Sequence, residues 1–354
     1  MKSGTWSLEK MTNPVSYTTT TDAATVDRRE WELFVSAHPE GNIFLTPLFH
    51  EFYNNIPLHQ PVVVACSDNG GKLCGILVAV IQREYKPWYG DFTARAIIWG
   101  GPLAAENNTE IAGLLLKKFM EATHTKVVYS QFRNISDMSG YREVFQSQGY
   151  VFEDHLDILI DLKKGEQELW AEMHPVRKKQ INRAKKRGVT TSVKDKLSQD
   201  ELNACYQIMA KVYRDIKLPF PDLAFFTRAN ELLGGIGCLK AIMAWSEDEL
   251  IGCRFFLVYN GLIYDWYAGS LYSHHDKYPN DILPWEVLRW GIASSQHTFD
   301  FGGAGKPGVA YGVRDFKLRF GGTLVNFGRY EAIHRPVIMK LAKLGFRLWR
   351  YIKF

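Results

Sequence analysis

No stretch of this chain reaches about 18 uninterrupted apolar residues, so nothing in it reads as a membrane-spanning helix. The start, Met1 to Asp22, is polar and Thr-rich with no apolar core segment, so no secretory signal is read there. Cysteine is scarce. Cys66, Cys74, Cys205, Cys238 and Cys253 lie far apart, are odd in number and include no CxxC pair, which argues against a disulfide framework. A reducing compartment fits best, and the chain reads as cytoplasmic. Neither a Ser-His-Asp nor a Cys-His arrangement marks a nucleophile, and His274-His275-Asp276 lacks a third ligand, so no metal site is expected. Acids are missing altogether from His174 to Gly188.

What is present is a globular composition. Over 354 residues, 46% hydrophobic and 23% charged, with 21 Phe, 17 Tyr and 10 Trp, wholesale disorder is excluded and two domains are expected. The 43 Lys and Arg against 38 Asp and Glu leave a net +5, a mild excess that names no partner by itself. Residues 1–24 read as a flexible leader. A first unit, 25–163, opens with a helix over Asp27 to Ala37. The strands Val62 to Ser67 and Leu73 to Gln82 follow, joined by Asp68-Asn69-Gly70-Gly71 as a hairpin. It continues through the strand Arg95 to Trp99, a helix from Glu110 to Thr123, the strand Val127 to Phe132, a helix around Gly140 to Gln148 and the strand Leu156 to Leu162.

Residues 164–188 read as a basic connector helix, and 189–333 as a second unit in which the order recurs. A helical region from Leu197 to about Leu233 precedes the strands Leu239 to Trp245, Leu250 to Tyr259 and Leu262 to Gly269, with Asn260-Gly261 as a tight turn. The helix Ile282 to Ser295, the strand Thr298 to Phe301, a Gly-rich loop, a short helix and a strand from Thr323 to Tyr330 complete it. The fold class is α/β (α+β): two copies of one unit, each a mixed, mainly antiparallel sheet flanked by helices. Residues 334–354 read as an amphipathic basic C-terminal helix.

The most informative segment runs from Tyr278 to Gly322. It contains Tyr278-Pro279-Asn280-Asp281, then Phe299-Asp300-Phe301-Gly302-Gly303, then Gly312-Val313-Arg314-Asp315-Phe316-Lys317-Leu318-Arg319-Phe320-Gly321-Gly322. Gly302 and Gly303 allow backbone N–H groups to approach an anionic or carbonyl group, or serve a tight strand-to-helix turn; both readings stand. Lys317, flanked by Phe316, Leu318 and Phe320, is placed near apolar surface, either to stabilise a developing oxyanion or simply to snorkel. Arg314 offers a phosphate partner and Asp315 a group to orient a cation, and a surface pairing of the two is the plain alternative.

This combination resembles the FemABX family of peptidoglycan bridge-forming aminoacyltransferases, and more broadly acetyltransferase-like (GNAT-like) proteins. The resemblance extends from Asn42-Ile43-Phe44 to Tyr330 and is most specific at FDFGG and DFKLRFGG. It implies two tandem GNAT-like domains and an aminoacyltransferase of the bacterial cell wall. Such an enzyme adds an amino acid from aminoacyl-tRNA to an amine of a peptidoglycan precursor, with no bound cofactor. It places the family's important lysine at Lys317, with Asp315 beside it. Tyr267, Tyr278, Asn280, Gly302, Gly303 and Arg314 are the candidate substrate contacts. An activated ester needs no enzyme nucleophile, so positioning and charge stabilisation suffice.

The basic run would set Lys179, Arg183, Lys186 and Arg187 along one side of a helix, with Arg177 nearby, to meet tRNA phosphates; a solvated connector is the plain alternative. In the C-terminal stretch, Lys340, Lys343, Arg347 and Arg350 form a basic stripe beside apolar residues. That profile suits the inner membrane surface, where a lipid-linked acceptor would lie, or docking on protein. Aromatic residues, Trp88 and Tyr89 among them and Tyr267 later, are candidates to line a sugar or peptide cleft, or to pack the core. One departure from the family is Phe52-Tyr53-Asn54-Asn55, where a lysine often follows the Asn-Ile-Phe helix. The competing reading is an acyl-CoA-dependent N-acyltransferase acting on an amino sugar or amino acid of a surface polymer, with acetyl-CoA as donor. Its usual Gly-rich pyrophosphate turn is absent from Gly269 to Asp281.

Overall fold

The computed structural model describes residues 16–84 and 92–341. Trp88 and Tyr89 lie outside the described residues. Of the expected C-terminal helix, 334–354, only residues 334–341 fall within them, helical from 336.

Two sheets organise the described chain. The first runs β1 (Thr18–Thr20), β2 (His59–Ser67), β3 (Leu73–Gln82), β4 (Arg95–Trp99), β6 (Tyr129–Arg133), β15 (Arg329–Ile333) and β7 (Val151–Glu153), with β5 (Leu103–Ala104) on β3. The second runs β14 (Thr323–Val325), β8 (Asp157–Asp161), β13 (Thr298–Asp300), β12 (Leu262–Ser270), β11 (Glu249–Tyr259), β10 (Leu239–Ser246) and β9 (Val189–Lys194). Around them lie α1 (Arg28–Ala37), α2 (Pro47–Asn54), α3 (Thr109–Thr123), α4 (Arg142–Ser147), α5 (Gly165–Glu172), α6 (Pro175–Lys186), α7 (Gln199–Asp215), α8 (Leu223–Ala229), α9 (Pro279–Ala293) and α10 (Gly312–Leu318).

Local chemistry fixes many of these elements. In the β2–β3 turn, Asp68 Oδ1 accepts from the Gly70 and Lys72 amides at 2.8 and 3.0 Å, and Gly71 adopts φ +80°, which a side chain would resist. The apolar run of β3 is buried on both faces because α1 and α3 cover it. The two units share a core. Phe44 of the first meets Tyr264 of the second at 5.1 Å between ring centroids, and Phe52 meets Phe225 at 5.0 Å. Each fully buried ring contributes about 1.5–3 kcal/mol.

The structure divides the chain differently from the sequence reading. β8, expected in the first unit, pairs with β13 and β14 in the second sheet. The single strand expected over Thr323 to Tyr330 is two strands, broken before Gly328 at φ +66°; its second part, β15, returns to the first sheet between β6 and β7. The sheets therefore exchange strands. Within the expected leader, Thr18–Thr20 forms an edge strand on β2. The basic connector is two helices, because Pro175 starts α6 after the His174 cap and α5 ends at Glu172.

Candidate active site

Strand β12 pairs with β11 along its whole length, but with β13 only through Leu262–Tyr264 against Thr298–Asp300. Beyond that point the two parallel strands diverge, and the β13-facing backbone of Asp265 to Ala268 has no strand beside it. A cavity of about 370 Å³ fills the gap, lined by Tyr264, Trp266, Tyr267, Gly302, Gly303 and Lys317 among others. A second cavity of about 250 Å³ shares Ala268 with the first and continues to Ser270, Tyr272, His275 and Asn280. Together they make one groove along the open edge of β12, from the FDFGG turn to the start of α9.

The turn is built by three residues. Gly302, at φ +68°, donates its N–H to Asp300 Oδ1 at 2.6 Å. Lys317 Nζ donates to the carbonyls of Phe301, Gly302 and Gly303 at 2.7, 3.1 and 3.0 Å. Arg314 donates to the carbonyls of Ala304 and Lys306 at 3.3 and 2.9 Å. All three N–H donors of Lys317 therefore hold the loop. Arg314 is likewise engaged by backbone rather than open to a phosphate. Asp315 is exposed on α10 and its carboxylate has no partner among the described residues, so it is not brought into the cavity.

Beneath the turn lies a carboxyl pair that the sequence reading missed, because its members come from distant strands. Asp157 and Asp300 are buried on neighbouring strands, where each carboxyl accepts from a backbone amide, of Ile158 and of Gly302. Burial pushes both carboxyls up, Asp300 well above the usual range, while the nearby Lys317 ammonium acts the other way. Burial also lowers Lys317. The floor of the cavity adds a buried ion pair, Arg254 with Asp265.

At the far end of the groove, α9 begins after Tyr278, which takes a left-handed φ of +58°, and its first residue, Pro279, has no N–H. Asn280 faces the second cavity and lies 3.5 Å from His275 Nε2. Helix α6 borders this end. Arg183 donates to the Tyr278 hydroxyl at 3.2 Å, and Arg187 bonds to the Asp276 carbonyl and lies over the Tyr278 ring at 5.5 Å. Lys179 and Lys186 are exposed without a partner among the described residues. Arg177 is a correction to the expected phosphate-binding set. It is 7% exposed, ion-paired with Asp281 and set over the Phe316 ring at 4.7 Å, so it packs α6 onto the second sheet. Burial lifts Asp281 to about 6 in spite of Arg177.

Tyr267, Gly302, Gly303 and Lys317 are thus brought to one cavity, Asn280 to its continuation and Tyr278 to the border with α6. Among the described residues no cluster of His, Cys, Asp and Glu is arranged to hold a metal ion, and no helix is long and apolar enough to cross a membrane.

Residues 176–318 match the acetyltransferase (GNAT) domain model. No curated protein matches the chain. Among solved structures, FemX superposes with a TM-score of 0.70 at 14% identity, covering 89% of this chain and 98% of FemX. A tandem GNAT protein of the clavulanic acid biosynthesis pathway gives 0.58 at 8% identity, covering 90% of this chain and 99% of its own. L-PGS from Bacillus licheniformis gives 0.56 at 18% identity, covering 89% and 96%. These likenesses establish a shared fold, and the splayed β12–β13 pair is where that fold opens a groove. Residues 176–318 carry the GNAT acetyltransferase domain match, and the chain as a whole has a tandem-GNAT, FemABX-like fold.

Proposed function

We propose that the chain transfers an aminoacyl group from aminoacyl-tRNA to an amine of a peptidoglycan precursor, at the cytoplasmic face of the membrane where that precursor is lipid-linked. One observation carries the choice of donor. Arg183 of α6 and Arg187 at its C-cap stand beside the mouth of the groove through the Arg183–Tyr278 and Arg187–Asp276 contacts, and Lys179 and Lys186 add exposed cations on the same helix. A phosphodiester backbone on that face would deliver its terminal nucleotide into the groove along β12. The proline-started α9, with no glycine turn before it, offers a poor cradle for a pyrophosphate.

The chemistry asks little of the protein. An amine nitrogen attacks the ester carbonyl, the bond from that carbon to the ribose oxygen breaks, and the amine proton ends on the ribose oxygen. The Gly303 N–H has no hydrogen-bond partner among the described residues and stands at the cavity wall, where it would donate to the oxyanion. Lys317 is then a positioning residue: by gripping the carbonyls of Phe301, Gly302 and Gly303 it fixes the direction of the adjoining N–H groups. The second reading is transfer from acetyl-CoA, favoured by the acetyltransferase domain match over 176–318.

Donor binding separates them. Wild-type chain and Lys179→Glu/Lys186→Glu are titrated with charged tRNA and with acetyl-CoA at several salt concentrations. Both lysines are exposed, so the double variant should fold. Salt-sensitive tRNA binding whose log–log slope falls by roughly two in the variant supports aminoacyl transfer. Binding of acetyl-CoA alone overturns it.

A further inference from the structure

We propose that Arg133 and Arg329, on the face of the first sheet turned toward the FDFGG turn, form an oxyanion site that holds a phosphate or carboxylate of the acceptor. The ladder between β6 and β15 sets Arg329 directly opposite Arg133, so both side chains leave the same face. Like charges in that position destabilise a sheet, and a carboxylate would be the ordinary partner. None is supplied. Neither arginine takes part in an ion pair among the described residues, and every neighbouring acid is already engaged. Glu153, opposite Arg329 on β7, is exposed and pairs with Lys306 at 3.1 Å. Glu331 accepts from Gln131 Nε2 at 2.9 Å, and Asp157 accepts from the Ile158 amide while burial favours its neutral form.

The contacts the arginines do make leave donors over. Arg133 Nε donates to Gln131 Oε1 at 3.0 Å and its guanidinium lies over the Trp99 ring at 5.6 Å, which orients the fork without using its terminal nitrogens. Arg329 meets His155 Nε2 at 2.9 Å through one terminal nitrogen. His155 adds no opposing charge, since burial and the surrounding cations push its pKa down to about 4. Burial also disfavours both guanidinium charges and takes Arg329 down to about 10, with Arg133 as the next cause. Two half-buried cations with free N–H groups and no counter-charge are relieved by an oxyanion that accepts from both.

Position gives this site its purpose. A Cβ on Gly303 would stand 2.7 Å from His155 Nε2, so one side chain separates Arg329 from the turn. An acceptor anchored by its anion on the arginine pair presents its amine toward Gly303. Naming the ligand as the acceptor rests on the acyl-transfer reading; the existence of the anion site does not.

The full chain is titrated calorimetrically at constant ionic strength with inorganic phosphate in one arm and acetate in the other. Arg133→Gln, Arg329→Gln and a Lys72→Gln/Lys117→Gln control, at two exposed lysines away from both sites, are titrated alongside wild type. Binding in at least one arm is expected to weaken at least about tenfold in each arginine variant and to stay within about twofold in the control. A preference for phosphate identifies a phosphate-bearing acceptor, and one for acetate a free peptide carboxylate. Absence of binding in both arms, or equal binding by wild type and both arginine variants, overturns the site. Should Arg133→Gln fail to fold, Arg133→Lys keeps the charge without the fork and is expected to lose the same binding. Anion binding at the pair in a chain that transfers no acyl group leaves the site standing and removes the acyl-transfer reading.

Discussion

Replacing Lys317 by Met keeps an unbranched side chain beside Phe301 and removes the ammonium, which isolates what the three carbonyl contacts contribute. Each hydrogen bond from a charged donor is worth about 1.5–3 kcal/mol. The sum overstates the loss, because burial already disfavours the charged lysine and water can reach part of the loop. A net loss of about 3 kcal/mol is the expected outcome. The two sheets exchange β8 and β15 and share a core, so the chain should unfold as one unit. An unfolding entropy near 2.1 cal/mol/K per residue then turns that loss into a fall in Tm of about 4 °C. Scanning calorimetry reads it directly, and limited proteolysis should find the 302–311 loop cut sooner. Lys317→Arg, which keeps the charge but spreads its donors over a planar fork, is expected to lie between the two. A Lys317→Met protein that melts within about 1 °C of wild type, with an equally resistant loop, would refute the positioning role.

Three further outcomes follow from the same geometry. Arg177→Met leaves Asp281 buried without its partner and should cost about 3–5 kcal/mol, whereas Lys186→Gln on the same helix should change stability by less than about 0.5 kcal/mol; chemical denaturation of both checks the contrast. Asp157 and Asp300 are lifted by burial above the ordinary 3.8, so the folded chain retains protons that the unfolded chain has released, and stability falls as pH rises above that value. Asp300→Asn should flatten the fall in Tm as pH rises above that value, and a curve parallel to wild type would contradict the buried pair. Gly322→Ala should cost roughly 2 kcal/mol or more, because φ is +92° and a Cβ would meet the Leu159 carbonyl oxygen at 2.6 Å; Gly308→Ala, at φ +72° with open space around it, should cost about 1 kcal/mol.

Much of the local structure was legible. The apolar run Leu73 to Gln82 and the Asn260-Gly261 turn announce their elements, and FDFGG with DFKLRFGG marks the groove in which Gly302, Gly303 and Lys317 meet. Strand exchange was not legible, since a short strand such as Asp157–Asp161 carries no mark of which sheet will take it. In the basic helix, Arg177 looks like its neighbours by charge alone. Its spacing to Ile181 and Ala184, four and then three residues, places it on the buried face, and that signal was there to be read. Asp157 with Asp300, and Arg133 with Arg329, are assembled from strands far apart in sequence, so neither pair leaves a local pattern. The contacts of Lys317 left no mark in its own segment, because the carbonyls it grips belong to the turn.

The most direct test of the central claim is single-turnover transfer. Purified chain is mixed with tRNA bearing a labelled amino acid and with an amine-bearing peptidoglycan precursor, and the precursor is followed by mass spectrometry. The account predicts a precursor heavier by one aminoacyl residue, formed in step with deacylation of the tRNA and slowed in Lys179→Glu/Lys186→Glu. A precursor unchanged by charged tRNA but acetylated when acetyl-CoA is supplied would contradict it.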